Sequence, residues 1–343
     1  MVTPLEPIDS TQPAPGAPAR PWLLADIGGT NARFGWLGEG QASVQHVLTL
    51  ATADHAGPAQ AARSYLAKLS TSLGSAYQAP GAAAFALATS VVGDRVSFTN
   101  NGWSFSRQEA QGALGLETFL ALNDFEALAL SLPRLRPSQV RPIGNAAAPG
   151  GPANLAVIGP GTGLGVAGLL PTPQGWVAVA GEGGHASLSP ADDFEAALLS
   201  AVRRHQTHVS AESLLSGIGL PVLHAAVAAV LGQTTAPLTP REIVDCALGG
   251  EDALCNRTIE SFCALLGGFA GNVALTLGAR GGVYVGGGIV PRLGELFFSS
   301  PFRSRFEAKG RFQSYLQAVP TFLITDTLAA LTGTALALEQ HGR

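Results

Sequence analysis

Hydrophobic residues along this chain fall into short dense runs broken by glycine turns, alternating with stretches in which apolar positions recur three and four residues apart. Dense runs bounded by turn residues predict strands, and the spaced pattern predicts helices. From the N-terminus, PWLLADIGG and NARFGWLG read as a hairpin, with SVQHVLTLA as a third antiparallel strand. AGPAQAARSYLAKLS follows as a helix. GAAAFALATSVVGDRVSFTNNGWSFS supplies one strand and a short hairpin, and GLETFLALND is a strand that ends at the polar pair Asn123–Asp124. From Phe125 to Leu132 the period turns helical until Pro133 and Pro137 stop it. Val140 to Ala153, rich in glycine and proline, is the expected linker.

The opening pattern then nearly recurs. LAVIGPGTGLGVAGLL, Leu155 to Leu170, is again an apolar strand, a glycine–threonine turn and an apolar strand. A unit that occurs twice predicts two related lobes, each headed by its own hairpin. A further hairpin is expected around GWVAVAGEGGHASLSP, a helix from Asp192 to about Arg204, and a strand, GGVYV, running into Gly286, Gly287 and Gly288. The chain closes with the strand TFLIT and an apolar helix, Leu328 to Glu339.

Composition narrows the class. Charged residues make up 13% of the 343 positions, about half the ~25% usual for soluble domains, and 43 glycines accompany them. That balance predicts much buried apolar surface and many close backbone approaches. A net charge of −4 without any Lys/Arg run argues against nucleic acid or a polybasic membrane contact. Ser261 to Ala279 carries no charge, yet Asn272, Thr276 and four glycines interrupt it. Its large apolar residues keep helical spacing, which predicts a core helix rather than a membrane span. Residues 1–20, with five prolines and no apolar stretch, read as a disordered tail rather than a signal peptide. Three cysteines without C-x-x-C spacing suit neither a disulfide framework nor a zinc cluster, so the cytoplasm is the expected compartment.

Candidate chemistry lies at the turns. Gly28 and Gly29 beside Asp26 make either an ordinary hairpin turn or a phosphate loop whose aspartate holds magnesium. Recurrence of the turn at Gly161, Thr162 and Gly163 favours a polyphosphate gripped from two sides. Asn123–Asp124 ends a strand and opens a helix. It reads either as a helix cap with Glu126 at capping-box spacing, or as a ligand-binding amide with a general base. Glu182-Gly-Gly-His185 is open to a metal pair, a surface loop or polyol recognition, and Glu212 to a second polyol carboxylate or a solvated helix end. Three glycines at 286–288 make a loop, or bare backbone against which an adenine ring lies flat. The Walker A pattern is absent. A G-x-G-x-x-G match at Gly163, Gly165 and Gly168 is followed by LLPTPQG, which cannot open a helix, so the dinucleotide-binding context fails.

Taken together, DIGGTNAR, LNDFEALAL, GPGTGLGVA, GEGGH, SAESLLSGIGL, GGGIVPR and FRSRFEAKGRF resemble the bacterial glucokinase family from about Trp22 to the last helix. The resemblance implies a two-lobed α/β fold of the actin-like ATPase (ribonuclease H-like) type, with related lobes around a central cleft. A small lobe would comprise residues 21–134 and 325–343, and a large lobe residues 135–324. It further implies ATP-dependent phosphorylation of glucose at the 6-hydroxyl, with ATP and Mg2+ as cofactors and a homodimer as the assembly. Ala25, Asp26, Ile27, Gly28, Gly29 and Thr30 would contact the nucleotide, with Asp26 at the metal, as would Gly161, Thr162, Gly163, Gly286 and Gly287. Asn123, Asp124, Glu182, His185 and Glu212 would bind the sugar, Asp124 also serving as base. Departures include Ala25 and Asn101, where the family often has glycine and histidine, Ser90 in place of a proline-containing turn, and TDTLAALTG without an Asn-Pro pair. These leave a sugar-binding regulatory protein with little turnover as the alternative. HASLSPADDFEAAL holds no cysteine, which sets the chain apart from the zinc-binding repressor–kinase branch.

Overall fold

The computed structural model describes residues 20–98, 102–147 and 151–342. Most of the expected tail and the departure at Asn101 therefore lie outside the described residues. The chain divides into two compact units, one running to Arg134 and resuming at Leu328, the other Leu135–Thr327.

The first unit is built on a five-stranded sheet of order β3-β2-β1-β4-β7. Its strands are β1 (Trp22–Ile27), β2 (Asn31–Leu37), β3 (Gln45–Ala51), β4 (Ala82–Leu87) and β7 (Thr118–Asn123). A small hairpin of β5 (Arg95–Ser97) and β6 (Ser104–Ser106) is inserted between the last two. β1, β2 and β3 form an antiparallel meander, whereas β4 and β7 run parallel to β1. Strand alternation sends Leu23, Ala25 and Ile27 to one face, where they join Phe34, Tyr65 and Phe85 in an aromatic core under the helix Pro58–Leu73. The same alternation sends Leu24 and Asp26 to the other face. There the helix Asp124–Ser131 packs against the C-terminal helix Ala329–His341. Gly333 permits that crossing, because a Cβ on it would lie 1.7 Å from the Ala127 carbonyl oxygen. Arg134 clamps the far end of the pair through a two-pronged bond to Glu339 at 2.7 and 2.5 Å.

The second unit repeats this scheme. β9 (Leu155–Pro160), β10 (Leu164–Thr172), β11 (Gly175–Gly181), β12 (Gly282–Val285) and β13 (Thr321–Ile324) take the order β11-β10-β9-β12-β13, with the same antiparallel and parallel senses. One more strand, β8 (Val140–Ile143), is added antiparallel to β13 at the edge. The repeated order is the structural counterpart of the repeated sequence pattern. The helix Ala253–Leu277 is long and apolar enough to cross a membrane by composition, but 72% of its apolar window is buried, so it is a core helix here. Gly267 and Gly271 let the helix Phe302–Glu307 settle on it, since Cβ atoms there would meet the Phe302 and Phe306 carbonyls at 2.1 and 2.6 Å.

Four expectations need correction. The glycine- and proline-rich stretch from Val140 to Ala153 is not all linker, because Val140–Ile143 is β8; its Pro142 is tolerated because the strand lies at an edge. The hairpin expected around GWVAVAGEGGHASLSP forms instead between β11 and the preceding β10, and Gly183–His185 is a short turn. Thr325 to Thr327 go with the second unit, where the Thr325 N–H donates to the Gln139 carbonyl at 2.9 Å. Arg20, counted with the tail, is folded and pairs with Glu117.

Candidate active site

In the first unit the site begins at the β1–β2 hairpin. Its register pairs Ile27 with Ala32 and Asp26 with Arg33, leaving Gly28, Gly29 and Thr30 as the turn. The Gly28 N–H donates to the Asn31 carbonyl at 2.9 Å, and Thr52 holds the turn from outside. Its hydroxyl donates to the Gly29 carbonyl at 2.8 Å and its N–H to the Thr30 carbonyl at 2.9 Å. With the carbonyls tied back, the N–H groups of Gly29 and Thr30 have no partner among the described residues. Two adjacent unpaired backbone donors make an anion cradle. The side chains of Ala25 and Ile27, expected at the nucleotide, are fully buried in the aromatic core, which leaves only their backbone to face a ligand.

Asp26 stands beside this turn with its carboxylate 3.6 Å from the Arg33 guanidinium. Burial pushes its carboxyl above the usual range, and Arg33 offsets part of that. Arg33 was not singled out from sequence, although hairpin register would have found it: both residues lie one step outside the pair that closes the turn.

Asn123 and Asp124 divide two roles that sequence could not separate. Asn123 is the helix cap, its Oδ1 accepting from Phe125 N–H at 2.9 Å and Glu126 N–H at 3.4 Å. Its Nδ2 donates to the Thr89 carbonyl at 3.2 Å. Asp124 is the first helical residue and not the cap; its Oδ1 accepts the Phe125 N–H at 3.0 Å, and its own N–H and the Asn123 side chain also bond the carboxyl. Burial, then the charge of Asp26, push the Asp124 carboxyl up to about 6. A carboxylate with that pKa is poised to take a proton near neutral pH.

In the second unit the β9–β10 turn is Gly161, Thr162 and Gly163. Gly161 N–H donates to the Gly163 carbonyl at 2.8 Å, while Gly217 N–H donates to the Gly161 carbonyl at 2.7 Å. The N–H groups of Thr162 and Gly163 have no partner among the described residues, as at Gly29 and Thr30. Glu182, His185 and Glu212 come together beside this turn. His185 Nε2 is 3.8 Å from Glu212 Oε1 and 4.0 Å from Glu182 Oε2. The other Glu212 oxygen accepts the Leu164 N–H at 2.8 Å. Gly184 closes the corner, where a Cβ would lie 2.0 Å from the Leu164 carbonyl oxygen. The three do not form a metal-binding group, and none of that kind occurs among the described residues.

The Gly286–Gly288 turn follows β12 and is pinned to the end of β9. Gly286 N–H donates to the Ile158 carbonyl at 2.8 Å and Ile289 N–H to the Pro160 carbonyl at 3.2 Å. Gly287 is required there: its φ is +80°, and a Cβ would lie 2.4 Å from the Pro160 carbonyl oxygen. Around Gly288 there is open space.

A chain with two such glycine turns and a raised carboxyl at a helix start has relatives. The sequence profile of the glucokinase family matches residues 23–341. The chain belongs to the glucokinase family. It is 48% identical over 323 residues to a glucokinase of Chromobacterium violaceum, covering 94% of this chain and 90% of that one. A glucokinase of Paramagnetospirillum magneticum is 46% identical over 91% of this chain and 96% of its own. Among solved structures, a glucokinase from an Antarctic psychrotroph superposes with a TM-score of 0.85 at 37% identity, covering 94% and 99% of the two chains. A glucokinase of the ROK family from Streptomyces griseus, solved with glucose and AMPPNP, has a TM-score of 0.58 at 20% identity and shares the fold. The architecture is the α/β fold of actin-like ATPases and sugar kinases.

Proposed function

We propose that this chain transfers the γ-phosphoryl group of ATP to the 6-hydroxyl of glucose, giving glucose 6-phosphate and ADP, with Asp124 as the base. The family assignment supports the reaction, and one observation carries the mechanism. Asp124 is relieved of capping by Asn123 and raised to about 6 by burial and Asp26. Phosphoryl transfer needs little covalent help, so alignment and charge neutralisation supply most of the rate.

Local geometry in each unit supports the following roles. Gly29 and Thr30 in one unit, and Thr162 and Gly163 in the other, offer backbone N–H groups to phosphate oxygens. Asp26 suits Mg2+, which is usually held by one or two carboxylates together with substrate phosphates. When bound, the metal would neutralise developing phosphate charge. Asp124 accepts the proton of the attacking hydroxyl. Glu182 and Glu212 accept from other sugar hydroxyls, and His185, near both carboxylates, adds a donor or acceptor. Asn123, whose amide oxygen holds the helix start and whose side chain also bonds Thr89 and Asp124, stands beside the base as a further sugar contact. Gly286 and Gly287 border the adenine position. A homodimer in the cytoplasm is the assembly and setting this reading carries, and sedimentation velocity tests the first.

A coupled assay for ADP formation with and without glucose tests the reaction. Glucose-dependent ADP release is expected. Its absence, with glucose still bound, would leave the regulatory alternative.

A further inference from the structure

Glu212 touches more than a sugar contact requires. Its backbone N–H donates to the Gly184 carbonyl at 2.8 Å, fixing it beside the turn that carries His185. Its Oε1 lies 3.8 Å from His185 Nε2, while its Oε2 accepts the Leu164 N–H at 2.8 Å. Leu164 directly follows the Gly161–Gly163 turn. The carboxylate also lies tight over Gly163, where a Cβ would meet Oε2 at 2.4 Å. The segment after Glu212 continues around the same turn. Gly217 N–H donates to the Gly161 carbonyl at 2.7 Å and Ile218 N–H to the Thr162 carbonyl at 3.4 Å. Ser216 Oγ ties that segment back to the Glu212 carbonyl at 2.7 Å.

We propose that Glu212 is a positioning residue for the Gly161–Gly163 turn and couples sugar binding to nucleotide binding. The proposal rests on the reading of this turn as a phosphate contact and of the Glu182–His185–Glu212 group as a sugar contact. A sugar hydroxyl donating to Oε1 restricts the carboxylate, and its other oxygen transmits that restriction to the Leu164 N–H. The turn is then held with the Thr162 and Gly163 N–H groups in place before nucleotide arrives. Such coupling is reciprocal, so nucleotide tightens sugar by the same factor. Glu182 has no bond to the turn among the described residues and serves as the control.

The test is calorimetric titration with magnesium–ADP, with and without glucose. In Glu212→Ala, ADP binding without sugar weakens on the order of tenfold, as expected for losing a charge-assisted hydrogen bond. Glu212→Gln keeps an acceptor for Leu164 and stays within about threefold of the parent, since charge assistance supplies about half the strength of such a bond. Glu182→Ala keeps the parent affinity for ADP and loses affinity for glucose alone. Glucose tightens ADP in the parent and ceases to do so in Glu212→Ala. Parent-like ADP binding by Glu212→Ala without sugar would overturn the proposal. If both alanine variants leave the glucose KM unchanged, the sugar-site reading fails, while the sugar-free ADP titration still decides the positioning role. Should Glu212→Ala not fold, the 15N–1H resonance of Leu164 decides: it moves when glucose is added to the parent, and a stationary resonance overturns the coupling.

Discussion

Asp124→Asn removes the proposed base while preserving its shape, and two measurements on that one variant test separate links of the argument. The cap is unaffected, because Asn123 supplies it. Loss of a general base lowers turnover by about 10²–10⁴. Stability moves the other way. The Asp124 carboxyl stands at about 6 in the folded protein against 3.8 for the free side chain. A raised carboxylate pKa means that folding disfavours the ionised form. The stability Asp124 contributes is full below about 3.8 and lost as pH rises through about 6. The difference of roughly two units corresponds to about 3 kcal/mol, an upper figure for a side chain that keeps some contact with water. Asparagine never ionises and escapes that loss. With unfolding entropy of roughly 2.1 cal/mol/K per residue, 3 kcal/mol across 343 residues raises the melting temperature by about 4 °C. Scans without metal or nucleotide at pH 8 should show this gain, and scans at pH 3.8 or below should not. Paired with a coupled ADP assay, the expected outcome is a more stable, nearly inactive protein that still binds glucose. Turnover above about a tenth of the parent would refute the base assignment. Equal melting temperatures at both pH values would refute the desolvation of Asp124.

Three further predictions test neighbouring parts. The acid limb of kcat/KM should break near pH 6, as the Asp124 carboxyl protonates, and be flat above; activity undiminished at pH 5 would argue for a different base. Gly333→Ala should lower the melting temperature and turnover together, because its Cβ would lie 1.7 Å from Ala127 on the helix that carries Asp124. Overpacking of this kind costs about 1–3 kcal/mol, more than the ~1 kcal/mol alanine gains in a helix, and a stabilised variant would show the crossing to be loose. Stripping metals with a chelator should abolish turnover, and magnesium alone should restore it fully; a requirement for added zinc would contradict a site built on Asp26.

The sequence by itself determined what depends on covalent neighbours. Apolar runs and glycine turns set the strands, the two hairpins and their recurrence. The helix cap could be placed at Asn123–Asp124 to within one residue, and Asp26 opposite Arg33 follows from hairpin register. Tertiary structure decided what depends on crossovers and on the direction a side chain leaves its strand. β8 hides in a stretch of glycine and proline because an edge strand needs only one neighbour and tolerates a proline, so its local pattern is weak. Ala25 and Ile27 flank Asp26 in a motif that looks uniformly functional, yet a period of two turns them into the core and Asp26 away from it. Glu212 reads as an ordinary helix-end charge until the fold lays it on the Leu164 N–H. The raised carboxyl of Asp124 belongs to no local pattern. It arises because β1 carries Asp26 and the helix that follows β7, two strands along the same sheet, starts at Asp124, so that burial and a nearby like charge act on one carboxyl.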